Sequence, residues 1–110
     1  MLDRPPDVDY DDELDDAAHE WRRVRIWKEP GQVTRFVIQY ETTLAGKRVA
    51  VVRYDTAHGF AHRDRFDRHG HEFDKTAIGL GLSLDAALAI AEQDLRQHWR
   101  RYRRDFFGGE

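Results

Sequence analysis

One long amphipathic helix at the C-terminal end is the feature that most limits what this chain can fold into. From Leu84 to Phe106 the apolar residues Leu84, Leu88, Ala91, Leu95, Trp99, Tyr102 and Phe106 recur at steps of three and four. That spacing gathers them into one stripe along a helix. Ser83 stands where its hydroxyl can cap the first free amides, Asp85 complements the positive end, and Gly108-Gly109 follows as a stop. A stripe of this kind needs a flat apolar partner, and no second segment of comparable length carries the same period.

The partner surface is written upstream with a period of two. In residues 21–29, Val24 and Ile26 alternate with Arg23, Arg25 and Trp27, as in a half-buried strand. The opposite parity of Trp27 predicts an exposed indole. After Pro30-Gly31 the pattern resumes with Phe36, Ile38 and Tyr40 on one face. Beyond Ala45-Gly46, residues 47–54 are rich in Val and apolar on both faces, which suits a central strand. A turn at His69-Gly70 would set Phe66 opposite Phe73, Arg65 opposite Asp74 and Asp64 opposite Lys75, giving one aromatic and two charge pairs. The expected fold is α+β: an antiparallel sheet of about five strands packed by one long C-terminal helix.

A chain of 110 residues has room for one such layer pair and no second domain. Charge divides it unevenly. Residues 1–20 hold nine acidic residues and one basic residue, whereas residues 21–110 hold 12 acidic and 17 basic residues. Two prolines and dense Asp in the first part have the composition of an acidic arm, either solvated or strapped over a basic face of its own domain or a partner. The folded unit is then residues 21–110. With no cysteine there is no disulfide, thiolate metal site or thiol nucleophile. No apolar run reaches the roughly 18 residues that span a bilayer, and the N-terminus lacks a signal-peptide pattern, so no membrane partner and a cytoplasmic location are expected. Sheet edges and Trp27 leave room for a homodimer.

Chemistry concentrates in residues 53–71, which carry four of the six histidines (His58, His62, His69 and His71) among Asp55, Asp64 and Asp67. Histidine changes charge near neutral pH, and a neighbouring Asp can orient it. His62 and Asp64, two apart, point to the same side of a strand; Lys75 lies opposite Asp64, and Arg53 lies at the approach. Without a Ser or Cys nucleophile, this set suits metal-independent RNA cleavage. There the 2′-hydroxyl attacks, side chains move the protons, and cations hold the phosphorane charge. His58, His62 and Asp64 are the acid–base candidates, with Arg53 and Lys75 as phosphate ligands. Arg96 and Arg100, in the arginine run of the helix, would track further phosphates. No cofactor is called for. A metal held by His58, His62 and Asp64 is an alternative whose spacing matches no standard zinc pattern. A third reading makes all of these solvated loop and strand residues.

The stretch KRVAVVRYDTAHGFAHRDRFDRHG resembles a family of small prokaryotic proteins that share RYDTAHG…HRD, a likeness running from about Trp21 to Phe106 and including Trp99 and Tyr102. More loosely, the order of features is similar to TumE-like toxins of toxin–antitoxin pairs. Tyr54 and Asp55 match their Y-D strand end, Gly59 the loop glycine, and His62 the first histidine of H-x-H. Asp64 stands where the second histidine would be. The resemblance implies an RNA-directed activity and an antitoxin-like partner protein. The alternative function is a non-catalytic module that binds protein or nucleic acid.

Overall fold

The computed structural model describes residues 4–57 and 59–108. Six strands form one antiparallel sheet in simple sequence order: β1 (Val8–Glu13), β2 (Glu20–Glu29), β3 (Gln32–Leu44), β4 (Lys47–Asp55), β5 (His62–Phe66) and β6 (Glu72–Ala77). A 3-10 turn, Leu14–Asp16, joins β1 to β2, and α1 (Leu84–Phe106) closes the chain. The α+β class and the helix limits are as read from the pattern. Ser83 caps α1 by accepting from the Ala86 amide at 3.1 Å. Gly79, just before it, has φ +58, and a Cβ there would lie 3.0 Å from the Ala87 Cβ. Glycine lets the incoming loop pass close to the helix.

The sixth strand comes from the acidic segment. Residues 8–13 pair with β2, setting Asp9 opposite Arg25, Asp11 opposite Arg23 and Asp12 opposite Arg22. Arg22 grips both Asp12 oxygens, at 3.1 and 2.8 Å. Cross-strand charge pairing therefore holds as an edge strand what composition alone marks as an arm. Leu14 is buried, and Asp15 accepts from the Trp99 indole at 2.8 Å and from Arg100 at 3.1 Å. The chain before β1 also covers Trp27, whose indole donates to the Arg4 carbonyl at 2.9 Å beneath the Arg35 guanidinium. Trp27 is thus buried, contrary to the expectation from parity.

Helix α1 packs on one face only. Its inward residues Ala91, Leu95, Trp99, Tyr102 and Phe106 meet Val24 and Ile26 of β2, Phe36, Ile38 and Tyr40 of β3, and Val52 and Tyr54 of β4 in a single core. Polar groups lock this layer. Asp94 of α1 accepts from the Tyr54 hydroxyl at 2.5 Å and the Tyr102 hydroxyl at 2.7 Å. Tyr40 donates to Glu20, which also meets Arg103. Burial and the adjacent carboxylates push both the Tyr40 and Tyr54 hydroxyls far above their ordinary range, so they stay donors at any working pH.

Among the described residues three register shifts shape the sheet, the first between Trp27 and Lys28 in the β2–β3 pairing. Between Tyr40 and Glu41 the β3–β4 register shifts by one residue, and Val51 and Val52 are both buried there. Between Arg65 and Phe66 the β5–β6 register shifts as well. Asp64–Lys75 and Arg65–Asp74 pair as expected, but Phe66 lies opposite Glu72 rather than Phe73. The turn begins earlier than a two-residue loop, because Asp67 binds the amides of His69 and His71 at 2.8 and 3.1 Å.

Two measurements test this packing. Tyr54→Phe removes a buried donor to a carboxylate and should cost about 1.5–3 kcal/mol in urea unfolding. The Trp99 indole holds the Asp15 carboxyl below its usual range, with Arg100 adding to the effect. A depressed folded pKa contributes stability above the unfolded value of 3.8 that is lost as pH falls through the folded one. The wild type should therefore exceed Asp15→Asn in stability at neutral pH, and the two should converge below pH 3.8 in an acid titration.

Candidate functional site

Because α1 covers one face, the opposite face of the sheet is left to polar side chains. Antiparallel partners project to the same side, and the register sets Arg53 opposite Asp64, Asp55 opposite His62, and Asp64 opposite Lys75. Arg53, Asp55, His62, Asp64 and Lys75 thus share the helix-free face across three adjacent strands.

Four of them touch in a row. His62 Nε2 lies 2.8 Å from an Asp55 oxygen, and its Nδ1 lies 3.1 Å from Asp64 Oδ1. The same Asp64 oxygen accepts from Lys75 Nζ at 2.8 Å. His62 and Asp64 are buried, at 2% and 4% exposure, while the Lys75 side chain is half exposed. Phe60 stands edge-on to the imidazole, 5.8 Å between ring centres, and Ala61 beside it is buried. The hydrogen bond that Lys75 donates to Asp64 raises the Lys75 ammonium above its ordinary range, and Glu72, 3.7 Å away, adds to the effect. Lys75 is therefore a fixed cation. Asp55 also accepts from the Ala57 amide at 3.0 Å, which anchors the loop leaving β4.

A carboxylate can only accept. His62 Nδ1 therefore makes its hydrogen bond to Asp64 only when it carries a hydrogen, whereas the Nε2–Asp55 approach is a close polar contact. Enclosed between two acids, His62 orients its neighbours and has little open surface for substrate. Asp55 and Lys75 are the members that reach solvent.

Arg53 sits in the adjacent row. Its Nε donates to Gln39 at 2.7 Å, and its guanidinium lies 5.2 Å from the centre of the Phe66 ring. Of the remaining candidates, His58 lies outside the described residues. Arg96 and Arg100 are carried by α1 on the other side of the sheet. Arg100 is paired with Asp15, and Arg96 lines a cleft with Glu13, Asp15, Arg22 and Glu92. The helix arginines and the His62 row therefore form no common surface.

Two positions complete the set. Asp55 belongs to the row and is not only a turn cap, and Gln39 aims Arg53. The first follows from the β4–β5 register and the second from the β3–β4 register. Asp55, His62 and Asp64 also offer one ligand atom each within 4.8 Å of one another, a carboxylate-rich set that would suit a hard or borderline cation. Lys75 already supplies positive charge to Asp64 and opposes that use.

The fold and this row define a two-layer α+β domain, with one sheet face buried under a single helix and the other carrying a linked charged cluster. The chain belongs to the family described as a domain of unknown function, DUF7718, whose model matches residues 5–110. No curated protein and no solved structure matches it. Among the described residues no helix is long and apolar enough to cross a membrane.

Asp64 is the link whose removal should tell most. Asp64→Ala leaves His62 and Lys75 without their shared acceptor and should lower stability by about 1–3 kcal/mol in urea unfolding. Lys75→Met should cost less, because Asp64 keeps His62 as a partner.

Proposed function

We propose that the domain is a toxin-like, cytoplasmic, metal-independent ribonuclease of prokaryotes that works on the helix-free face of its sheet. The observation that supports this reading is the row Asp55–His62–Asp64–Lys75, with Arg53 on the neighbouring strand. It places an acceptor for a proton, a buried group that orients it and two cations on one face.

The roles differ from those of a pair of catalytic imidazoles. Asp55, the solvent-reaching carboxylate, takes the proton of the RNA 2′-hydroxyl as that oxygen attacks phosphorus. His62 is a positioning residue, holding Asp55 from behind. Lys75 and Arg53 hold the charge that builds on the phosphorane, where fixed cations count most. The bond to the 5′-oxygen breaks and that oxygen takes a proton from water, leaving a 2′,3′-cyclic phosphate and a 5′-hydroxyl.

A second reading has its own support. Enclosure of His62 suits a structural cluster, and the edge strand β6 is mostly exposed, with Phe73 at 52%. A non-catalytic module that binds RNA or an antitoxin-like protein would use the same face or that edge, and the edge would equally serve a homodimer.

Incubation of the full chain with single-stranded RNA at neutral pH, with and without EDTA, separates these. Cleavage should persist in EDTA. It should fall roughly 10²–10⁴-fold in Asp55→Asn, which keeps an oxygen to cap Ala57. Cleavage abolished by EDTA would move the assignment to a cation held by Asp55, His62 and Asp64. Absence of cleavage by folded wild type would leave the binding module.

A further inference from the structure

Beside the charged row, the sheet has a gap. Strand β5 joins β4 only from Val52 to Asp55, so residues 47–51 of β4 are paired to β3 alone. Between that edge and the β5–β6 turn lies a cleft of about 230 Å³. Val49 and Ala50 of β4, Phe66 of β5 and Phe106 of α1 give it apolar walls, and Arg53 and Arg68 flank it. This is below the ~300–1,000 Å³ of pockets for drug-sized ligands, a space for one planar ring system.

Its chemistry is specific. Phe66 is partly exposed beneath the Arg53 guanidinium, so the cleft offers an aromatic face and a stacked cation together. Arg68 is exposed and has no ion-pair partner among the described residues. Asp67 also lines the cleft, but the amides of His71 and His69 draw its carboxylate into the turn and hold it below its usual range. The free edge of β4 adds backbone donors and acceptors. Stacking surface, polar backbone edge and flanking guanidinium groups are what an unpaired nucleobase and its phosphates require. Arg53 joins the cleft to the row, because it lines the cleft and stands opposite Asp64.

We infer that this cleft is the pocket for one unpaired base of a single-stranded RNA, with Arg53 and Arg68 on the adjoining phosphates. This rests on the RNA-directed reading above and names its substrate as unpaired rather than duplex. A base stacked there would set the next phosphate along β4 toward Asp55 and Lys75.

The test is equilibrium binding of the full chain to a short 2′-O-methyl RNA, which cannot be cleaved, as a single strand and as a duplex of the same sequence. The single strand should bind at least about tenfold tighter. Ala50→Leu, which fills the cleft without changing charge, should lose about tenfold, as should Arg68→Ala, whose exposed position spares the fold. Unfolding curves confirm that both variants are folded, and Arg68→Ala decides the matter if Ala50→Leu is not. Equal affinity for duplex and single strand, or full affinity in both folded variants, would overturn the pocket. So would capture of an extended peptide in place of RNA, which would make the β4 edge a strand-addition site. Cleavage that persists with binding unchanged in both variants would remove the pocket and leave the ribonuclease. Single-strand binding lost in both variants, without any cleavage, would keep the pocket and remove the enzyme. Absence of RNA binding would remove both.

Discussion

A single helix serves a sheet of six strands, and most of the structure follows from that mismatch. At 1.5 Å per residue the 23 residues of α1 span about 35 Å, enough to lie along the sheet but not to cover both of its sides. The covered side takes nearly all of the apolar material, in a core shared by β2, β3, β4 and α1. The other side must satisfy polar and charged groups with one another. The row from Asp55 to Lys75 is one result. The pairing of Asp9 and Asp11 of β1 with Arg25 and Arg23 of β2 is another, with Asp11 also meeting Arg48 of β4 at 2.9 Å.

The helix is held by directional bonds as well as burial. Asp94 receives two tyrosine hydroxyls from different elements, and Glu20 ties the start of β2 to Tyr40 and Arg103. Asp15 reaches Trp99 from the segment before β2. These contacts are each modest in net free energy, but leaving any member buried and unpaired is costly. They fix how far along the sheet the helix sits. They therefore also fix where Phe106 arrives beside the open edge of β4.

One inserted residue decides which chemistry faces outward. Counting back from the Leu44–Lys47 pair without interruption would set Arg53 opposite Ile38 and Asp55 opposite Phe36, beneath the helix. The bulge after Tyr40 moves them opposite Gln39 and Val37 instead, on the open face. A shift of one position reverses every side chain beyond it, and bulges serve to re-aim side chains in this way. The partnership of Gln39 with Arg53 does not exist without it, and the Asp55–His62 pair, set by the β4–β5 register, owes its place on the open face to it.

The sequence by itself determined the helix, its cap and its inward stripe, because a period of three and four over 23 residues admits no other regular structure. It also determined the alternation in β2 and β3, the central place of β4, and the pairing of Asp64 with Lys75, which the charges on both strands favour. Only the tertiary structure decided the rest. Acidic residues 8–13 look like a solvated arm in isolation and become a strand because β2 presents matching arginines. Trp27 is exposed by parity and is buried by the chain around Arg4. Phe66 loses Phe73 as its opposite number because Phe73 is bulged out of the β5–β6 pairing. The bulge at Val51 leaves no mark in local preference, since consecutive valines suit any strand. Its position is a matter of how β3 and β4 pair across the sheet, which no local pattern records.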